Sequence, residues 1–242
     1  MLEAIFSWVF ETWYNAFLAL FIFFNLLYWS VTGAGILVFR YLVRRRGLTK
    51  VANHHLYAGQ VTKEIWQSMR SILVFSLQGI MIQQGLEQGW FRISYELNWW
   101  VFPQIIVLFF WNELHFYAVH ALLHTRFMMR HIHKVHHHSK EPTVYSTFSF
   151  HWIEAFLLGT VIVFPLLVFP FQALAILSLP VMSLIINLLG HCNYDFFSGH
   201  APEHILKFSY RHSMHHKKGK GNLGFLLPWL DKIFNTSVKN IS

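Results

Sequence analysis

The chain has 242 residues, of which 55% are hydrophobic and only 12% charged, and its mean hydropathy is positive, at +0.39. That composition argues against an average soluble domain and against a disordered chain, and a single cysteine, Cys192, excludes an intramolecular disulfide framework. A net charge of +8 raises nucleic acid as a partner, but the basic residues cluster between apolar runs, as membrane topology requires, rather than along one stripe.

Residues 14–39 form a 26-residue run without a charge, about 39 Å as a helix and long enough to cross a bilayer. The run stops at Arg40, Arg44, Arg45 and Arg46, a marker of the cytoplasmic side. Ahead of it, Glu3 and Glu11 do not make the basic start of a cleavable signal. Residues 65–84 are apolar but interrupted by Arg70, Gln78, Gln83 and Gln84, which suits a polar-lined span facing other helices. Trp90, Trp99 and Trp100 read as an interfacial belt. Residues 101–117 are a third span, whose helix is expected to run on to His120 and His124. Residues 153–169 and 171–189 read as an apolar hairpin, crossing fully or dipping in, that turns at Pro165, Pro170 and Gln172.

These elements predict an all-α, polytopic membrane bundle of four to five spans or half-spans, with a cytoplasmic, helical, histidine-rich cap. Residues 1–100 would supply N-terminal membrane helices and 101–242 a catalytic region, integrated as one domain. Segments 40–63, 119–152 and 191–242 hold 17 of the 19 Lys and Arg residues. The positive-inside rule therefore places the C-terminus and every histidine-rich segment in the cytoplasm.

Those segments carry the strongest signal. His133, His136 and His137, and again His212, His215 and His216, form HxxHH boxes that put three imidazoles on one helical stripe. About 0.08 such matches are expected by chance in a chain this rich in histidine, so two carry weight. His120 and His124 are an i, i+4 pair, and His191 follows the hairpin. Neutral imidazoles are transition-metal ligands. Nine exceed what one tetrahedral ion uses, so they predict two metals, with redox-active iron favoured over zinc. Glu113, Glu154, Asp195 and Asp231 are candidates to orient the rings. His151, His200 and His204 are candidate extra ligands, whereas His54 and His55 read as surface groups, and His115, His131 and His138 lie off the stripes.

In these residues the sequence resembles the fatty acid hydroxylase/sterol desaturase superfamily of membrane non-haem di-iron enzymes. Glu113, His120 and His124 resemble its first box. His133, His136 and His137, followed by His151, Trp152 and Glu154, resemble its second box and the element after it, with Trp152 in place of the usual proline. Gly190, His191, Tyr194 and Asp195 resemble a further element, and the third box is followed by Leu227, Trp229, Asp231, Phe234 and Thr236, with Asn235 in place of glycine. The resemblance implies that the nine histidines hold two irons, with O2 as co-substrate. It further implies that a lipid C–H (fatty acyl, sterol or related isoprenoid) is hydroxylated or desaturated in lipid biosynthesis. Aromatics such as Phe116, Tyr117, Phe148, Phe150 and Trp152 would line the approach or anchor the chain at the membrane interface.

With no second cysteine for an iron–sulfur cluster and no dinucleotide glycine fingerprint, electrons must come from an external donor. A small acidic electron-transfer protein with its reductase would dock on Lys207, Arg211, Lys217, Lys218 and Lys220. The expected site is a bacterial inner membrane or the endoplasmic reticulum. A membrane b-type haem electron carrier and a histidine-rich metal transporter remain the alternatives.

Overall fold

A computed structural model describes residues 2–52 and 55–238; His54 lies outside them, and His55 is exposed. Helix α1, Leu2–Glu11, breaks at Thr12, whose side chain caps α2, Trp13–Arg46, by accepting from the Asn15 N–H at 3.2 Å. The α2 helix outruns the predicted span at both ends. It stops at Gly47, whose left-handed φ of 61° costs glycine little, and Arg44, Arg45 and Arg46 in its last turn complement the helix dipole. Leu18, Ile22, Leu26 and Leu37 of α2 are exposed, as a lipid-facing surface would be.

Helix α3, Gln60–Glu87, is the interrupted apolar segment; Gln78 and Gln83 are buried, whereas Arg70 and Gln84 are exposed. Gln60 donates to the Glu141 carbonyl at 2.8 Å, Ser68 to the Tyr145 carbonyl at 3.0 Å and Gln78 to the Phe156 carbonyl at 2.9 Å. Buried polar groups need partners, and here they tie the helix to the segment that follows the second histidine box.

Helix α4 is Val101–Leu123 and α5 is the short Arg126–His131. The predicted hairpin is a broken first arm followed by a continuous second one. Its arms are α6, Trp152–Gly159, a 3-10 turn and α7, Val163–Val168, then α8, Ala173–His191. Helices α9, Phe208–Lys218, and α10, Trp229–Ile233, complete the chain. Two ladders of two residues each, Thr49–Lys50 with Tyr194–Asp195 and Ile93–Ser94 with Phe171–Gln172, add local pairing to a helical fold. Among the described residues three helices, α2, α4 and α8, are long and apolar enough to cross a membrane, with Trp152–Val168 a shorter apolar stretch. The interrupted segment 65–84 is a helix but not one of these three, since its glutamines, serines and Arg70 make it less apolar.

The second histidine box also departs from expectation: His133–His138 is a 3-10 helix, not an α-helix. Two buried clusters surround the bundle's interior, one around Leu108, Leu166 and Leu179, the other around Tyr28, Phe75 and Phe148. Helices α2 and α3 pack closely at Gly79, where an added Cβ would overlap Leu20. Gly79→Val should therefore cost about 1–3 kcal/mol through overpacking, read as a lowered thermal midpoint of the purified protein, whereas Gly33→Ala, whose site is open, should leave the midpoint nearly unchanged.

Candidate metal centre

One end of the bundle gathers the histidines because several helices end there. His120 lies in the last turn of α4 and His124 caps it; His191 is the last residue of α8. The 3-10 turn supplies His133, His136 and His137, and α9 supplies His212, His215 and His216. All nine predicted ligands converge. His120, His124, His133, His137 and His215 form one group and His136, His191, His212 and His216 a second, with the ligand atoms in each group within 4.8 Å of one another.

Each HxxHH box divides between the groups. In the second histidine box the i and i+4 rings, His133 and His137, serve the five-membered group and His136 the other. In the third box the parts are exchanged, with His212 and His216 in the four-membered group and His215 opposite.

The tautomers follow from the partners. A carbonyl oxygen only accepts, so a ring nitrogen bonded to one must carry the proton. Nδ1 of His120 donates to the Leu223 carbonyl at 2.7 Å, of His136 to Ser149 at 3.1 Å and of His191 to Asn187 at 2.8 Å. His215 donates likewise to Gly221 at 2.6 Å and His216 to Ser139 at 3.2 Å. His133 Nδ1 meets the Glu154 carboxylate at 2.9 Å.

In a neutral ring this leaves Nε2 as a bare lone pair. Nε2 of His191 lies 3.1 Å from that of His136 and 3.2 Å from that of His216, three lone pairs facing one another with no proton between them. In the other group Nε2 of His215 is 3.0 Å from that of His137, which is 3.1 Å from that of His133. Donors sharing one ion at about 2.1 Å sit roughly 3.0–3.4 Å apart, so the donor sets fit metal ions. Burial keeps the rings neutral, pushing His124, His133 and His136 down to about 3 and lowering His212, His215 and His216 well below the ordinary histidine value, because a charged imidazole loses its hydration there.

Of the four acids named from sequence, only Glu154 holds a ring. Glu113 instead accepts from the Leu226 and Leu227 N–H groups at 3.2 and 2.9 Å. Asp231 accepts from the Leu223 and Gly224 N–H groups at 2.7 and 2.9 Å and from the Thr236 hydroxyl. Both carboxylates shape the loop whose Leu223 carbonyl orients His120. Asp195 is paired with Lys207. His151 caps α6 by accepting from the Ile153 N–H at 3.2 Å, and His200 and His204 are exposed, with ring centroids 4.4 Å apart, outside both groups. Lys207 and Arg211 are buried, Arg211 being bonded to the His204 and Leu226 carbonyls. Of the predicted docking cations only Lys217, Lys218 and Lys220 are exposed. Sequence reasoning missed the backbone carbonyls that set the tautomers, since any residue can supply one.

An apolar cavity of about 390 Å³ leads up to the centre, with Phe116, Phe148, Phe150, Leu158 and Asn187 on its wall. Phe116, Phe150, Leu158 and Asn187 also line a small void against His120, His133, His136, His191 and His212. Of the other predicted aromatics, Tyr117 is buried and stacks on Phe234, and Trp152 is 53% exposed; neither lines the cavity.

No solved structure matches the chain. A putative methylsterol monooxygenase of Dictyostelium discoideum is 32% identical over 57% of this chain and 52% of its own. The lathosterol oxidase of Rattus norvegicus is 26% identical over 72% of this chain and 60% of its own. A Delta(7)-sterol 5(6)-desaturase of Gibberella zeae is 24% identical over 76% and 58%. The chain thus spans about half to three fifths of the length of these relatives. The fatty acid hydroxylase family profile matches residues 105–236, from the helix that carries the first histidine pair to the threonine bonded to Asp231, and the chain belongs to that family.

Proposed function

We propose that this chain is an O2-dependent oxidoreductase that holds two iron ions in its two histidine groups and hydroxylates or desaturates a membrane lipid of the sterol, fatty acyl or related isoprenoid class. The observation that carries this reading is the convergence of unprotonated Nε2 atoms at the end of an apolar cavity. The family membership and the sterol monooxygenase, oxidase and desaturase names of the relatives support it. His120, His124, His133, His137 and His215 would hold one ion and His136, His191, His212 and His216 the other, with donor counts that suit imidazole-bound iron with open positions.

When bound, the irons would supply O2 activation and the redox change needed to break an unactivated C–H bond. The protein's part is positioning. Glu154 and the five carbonyls hold the rings in one tautomer and orientation, the cavity aligns an apolar chain, and Phe116, Phe150 and Leu158 keep water from the reacting carbon. Hydroxylation converts R–H, O2, two electrons and two protons into R–OH and water. Desaturation takes the same inputs, removes two hydrogens from adjacent carbons and yields two waters. The electrons come from a small acidic electron-transfer protein and its reductase, for which Lys217, Lys218 and Lys220 at the end of α9 offer a cationic contact. The charge pattern supports a cytoplasmic location for this face.

Protein purified from membranes should carry about two irons per chain and no Soret band. Cells expressing it under ¹⁸O2 should gain either a lipid alcohol bearing the label or an unlabelled lipid alkene. Stoichiometric haem, or an unchanged lipidome in iron-loaded cells, would overturn the reading. Glu154→Ala should weaken iron binding about 10–100-fold in chelator competition, and Glu154→Gln, which keeps an acceptor oxygen for His133, should lose less.

The clustered rings should make the metal-free protein lose stability on acidification. His124, His133 and His136 titrate at about 3 when folded and near the ordinary 6.5 when unfolded, so the unfolded chain takes up protons first. Their contribution is complete above about 7 and is lost as pH falls from there toward 3, whereas Glu154, raised to about 8 by burial, contributes in the opposite sense as pH rises. Thermal midpoints measured at stepped pH should fall on acidification, and a flat profile would contradict the buried, neutral state of the rings.

A further inference from the structure

The α8 wall of the apolar cavity runs from Ile176 to Asn187, roughly 16 Å of helix. Asn187 also lines the small void against the histidines, so Ile176 marks the remote part of the cavity. Helix α1 contributes Ile5, Phe6, Val9 and Phe10 to the same wall, spacings that put all four on one helical face. Glu3, Ser7 and Glu11 are exposed along another stripe, the pattern of a helix lying at a membrane interface.

Two separate connections put α1 at the end of the bundle away from the histidines. Helix α2 has α1 at its start and Arg46 at its close, about 51 Å of helix apart. The Arg46 end leads into Thr49–Lys50, which pairs with Tyr194–Asp195 just after His191. Phe6, in turn, meets Tyr95 with ring centroids 5.8 Å apart. Tyr95 follows Ile93–Ser94, which pairs with Phe171–Gln172 at the start of α8, the end opposite His191. The Thr12 backbone is extended, with φ −137° and ψ 155°, so α1 leaves the line of α2 and packs on both α2 and α3. Phe6 is buried. Phe10, its centroid 6.1 Å from that of Phe6, packs against the cluster around Leu108, Leu166 and Leu179.

We propose that α1 is the end-stop of the lipid cavity, with Phe6 and Phe10 as specificity-determining residues that limit how far an apolar chain extends away from the histidines. A Phe6 ring backed by Phe10 and Tyr95 yields to a longer chain only by overpacking. The helices fix the distance from these rings to the histidine end, so the cavity measures the length of tail beyond the reacting carbon. This inference rests on the reading of the cavity as the lipid site.

Native mass spectrometry of the detergent-purified full chain, offered the even n-alkanes from decane to icosane in competition, tests this without requiring turnover. In the wild type, retention should fall about tenfold beyond one limiting length, where a longer chain must overpack the rings. Phe6→Ala, which opens space behind the tail, should move that limit about two carbons longer or more. Val9→Phe, which adds a ring to the same wall, should move it about two carbons shorter. Retention with no limiting length in the wild type, or one limit shared with both variants, would overturn the end-stop while leaving the lipid cavity standing. Retention of no alkane by the wild type would remove both. The variants shift the limit in opposite directions, so either decides should the other fail to fold.

Discussion

The rest of the structure is organised around nitrogen lone pairs turned toward one another. Six of the nine clustered rings have Nδ1 committed to a carbonyl or carboxylate oxygen, so their Nε2 atoms have nothing to donate. Gathering such atoms at 3.1–3.2 Å is electrostatically unfavourable without a cation between them, and burial denies the rings protons as a remedy. The fold stabilises the arrangement from outside. Helices α4, α8 and α9 bring their ends together, and the loop fastened by Glu113, Asp231 and Arg211 aims two of the carbonyls, Gly221 and Leu223. Such a site is preorganised for metal, its orientation secured by a surrounding shell of bonds.

The exchange of partners between the HxxHH boxes gives that shell a further property. Each box feeds both groups, two rings to one and one ring to the other, so neither group belongs to a single element. A shift of α9 or of the 3-10 turn displaces donors in both groups at once. The 3-10 geometry of His133–His138 matters here, since its tighter winding changes how the second box faces its neighbours relative to the α-helical third box. The two groups are mechanically one object.

What the sequence made legible was chemistry that depends on side-chain identity and short spacing. The nine clustered histidines, the apolar runs that became α2, α4 and α8, and the polar-lined character of α3 all follow from residue type and period. What stayed hidden depends on three-dimensional placement. The HxxHH pattern reads the same in the 3-10 second box as in the α-helical third box. Asp195 has the composition of a ring-orienting acid, yet Lys207, twelve residues on, pairs with it. Lys207 and Arg211 look like docking charges in a linear reading but turn inward. Gln78 reads as an interruption of a span, and only the packing of α3 on α6 shows its amide donating to the Phe156 carbonyl.

The same placement settles the electrostatics of the proposed iron pair. Nine neutral imidazoles contribute no negative charge, so two divalent ions would bring four positive charges into a buried site where Coulomb interactions are weakly screened. Glu154 offsets one of them through His133. Further compensation comes from the backbone: His120 and His124 lie at the C-terminal end of α4, His191 at that of α8, and His215 and His216 in the last turn of α9, where helix dipoles present partial negative charge. Carbonyl acceptors on the Nδ1–H groups shift electron density onto the coordinating nitrogens in the same sense. A centre compensated by dipoles rather than by a ring of carboxylates keeps a net positive charge, and net charge is one of the levers that set a metal site's reduction potential. A cationic centre takes up electrons more readily than a neutral one, which is what a site filled from an external donor requires. The helix ends would then do more than deliver the histidines; they would set the charge balance that lets the ions stay and be reduced.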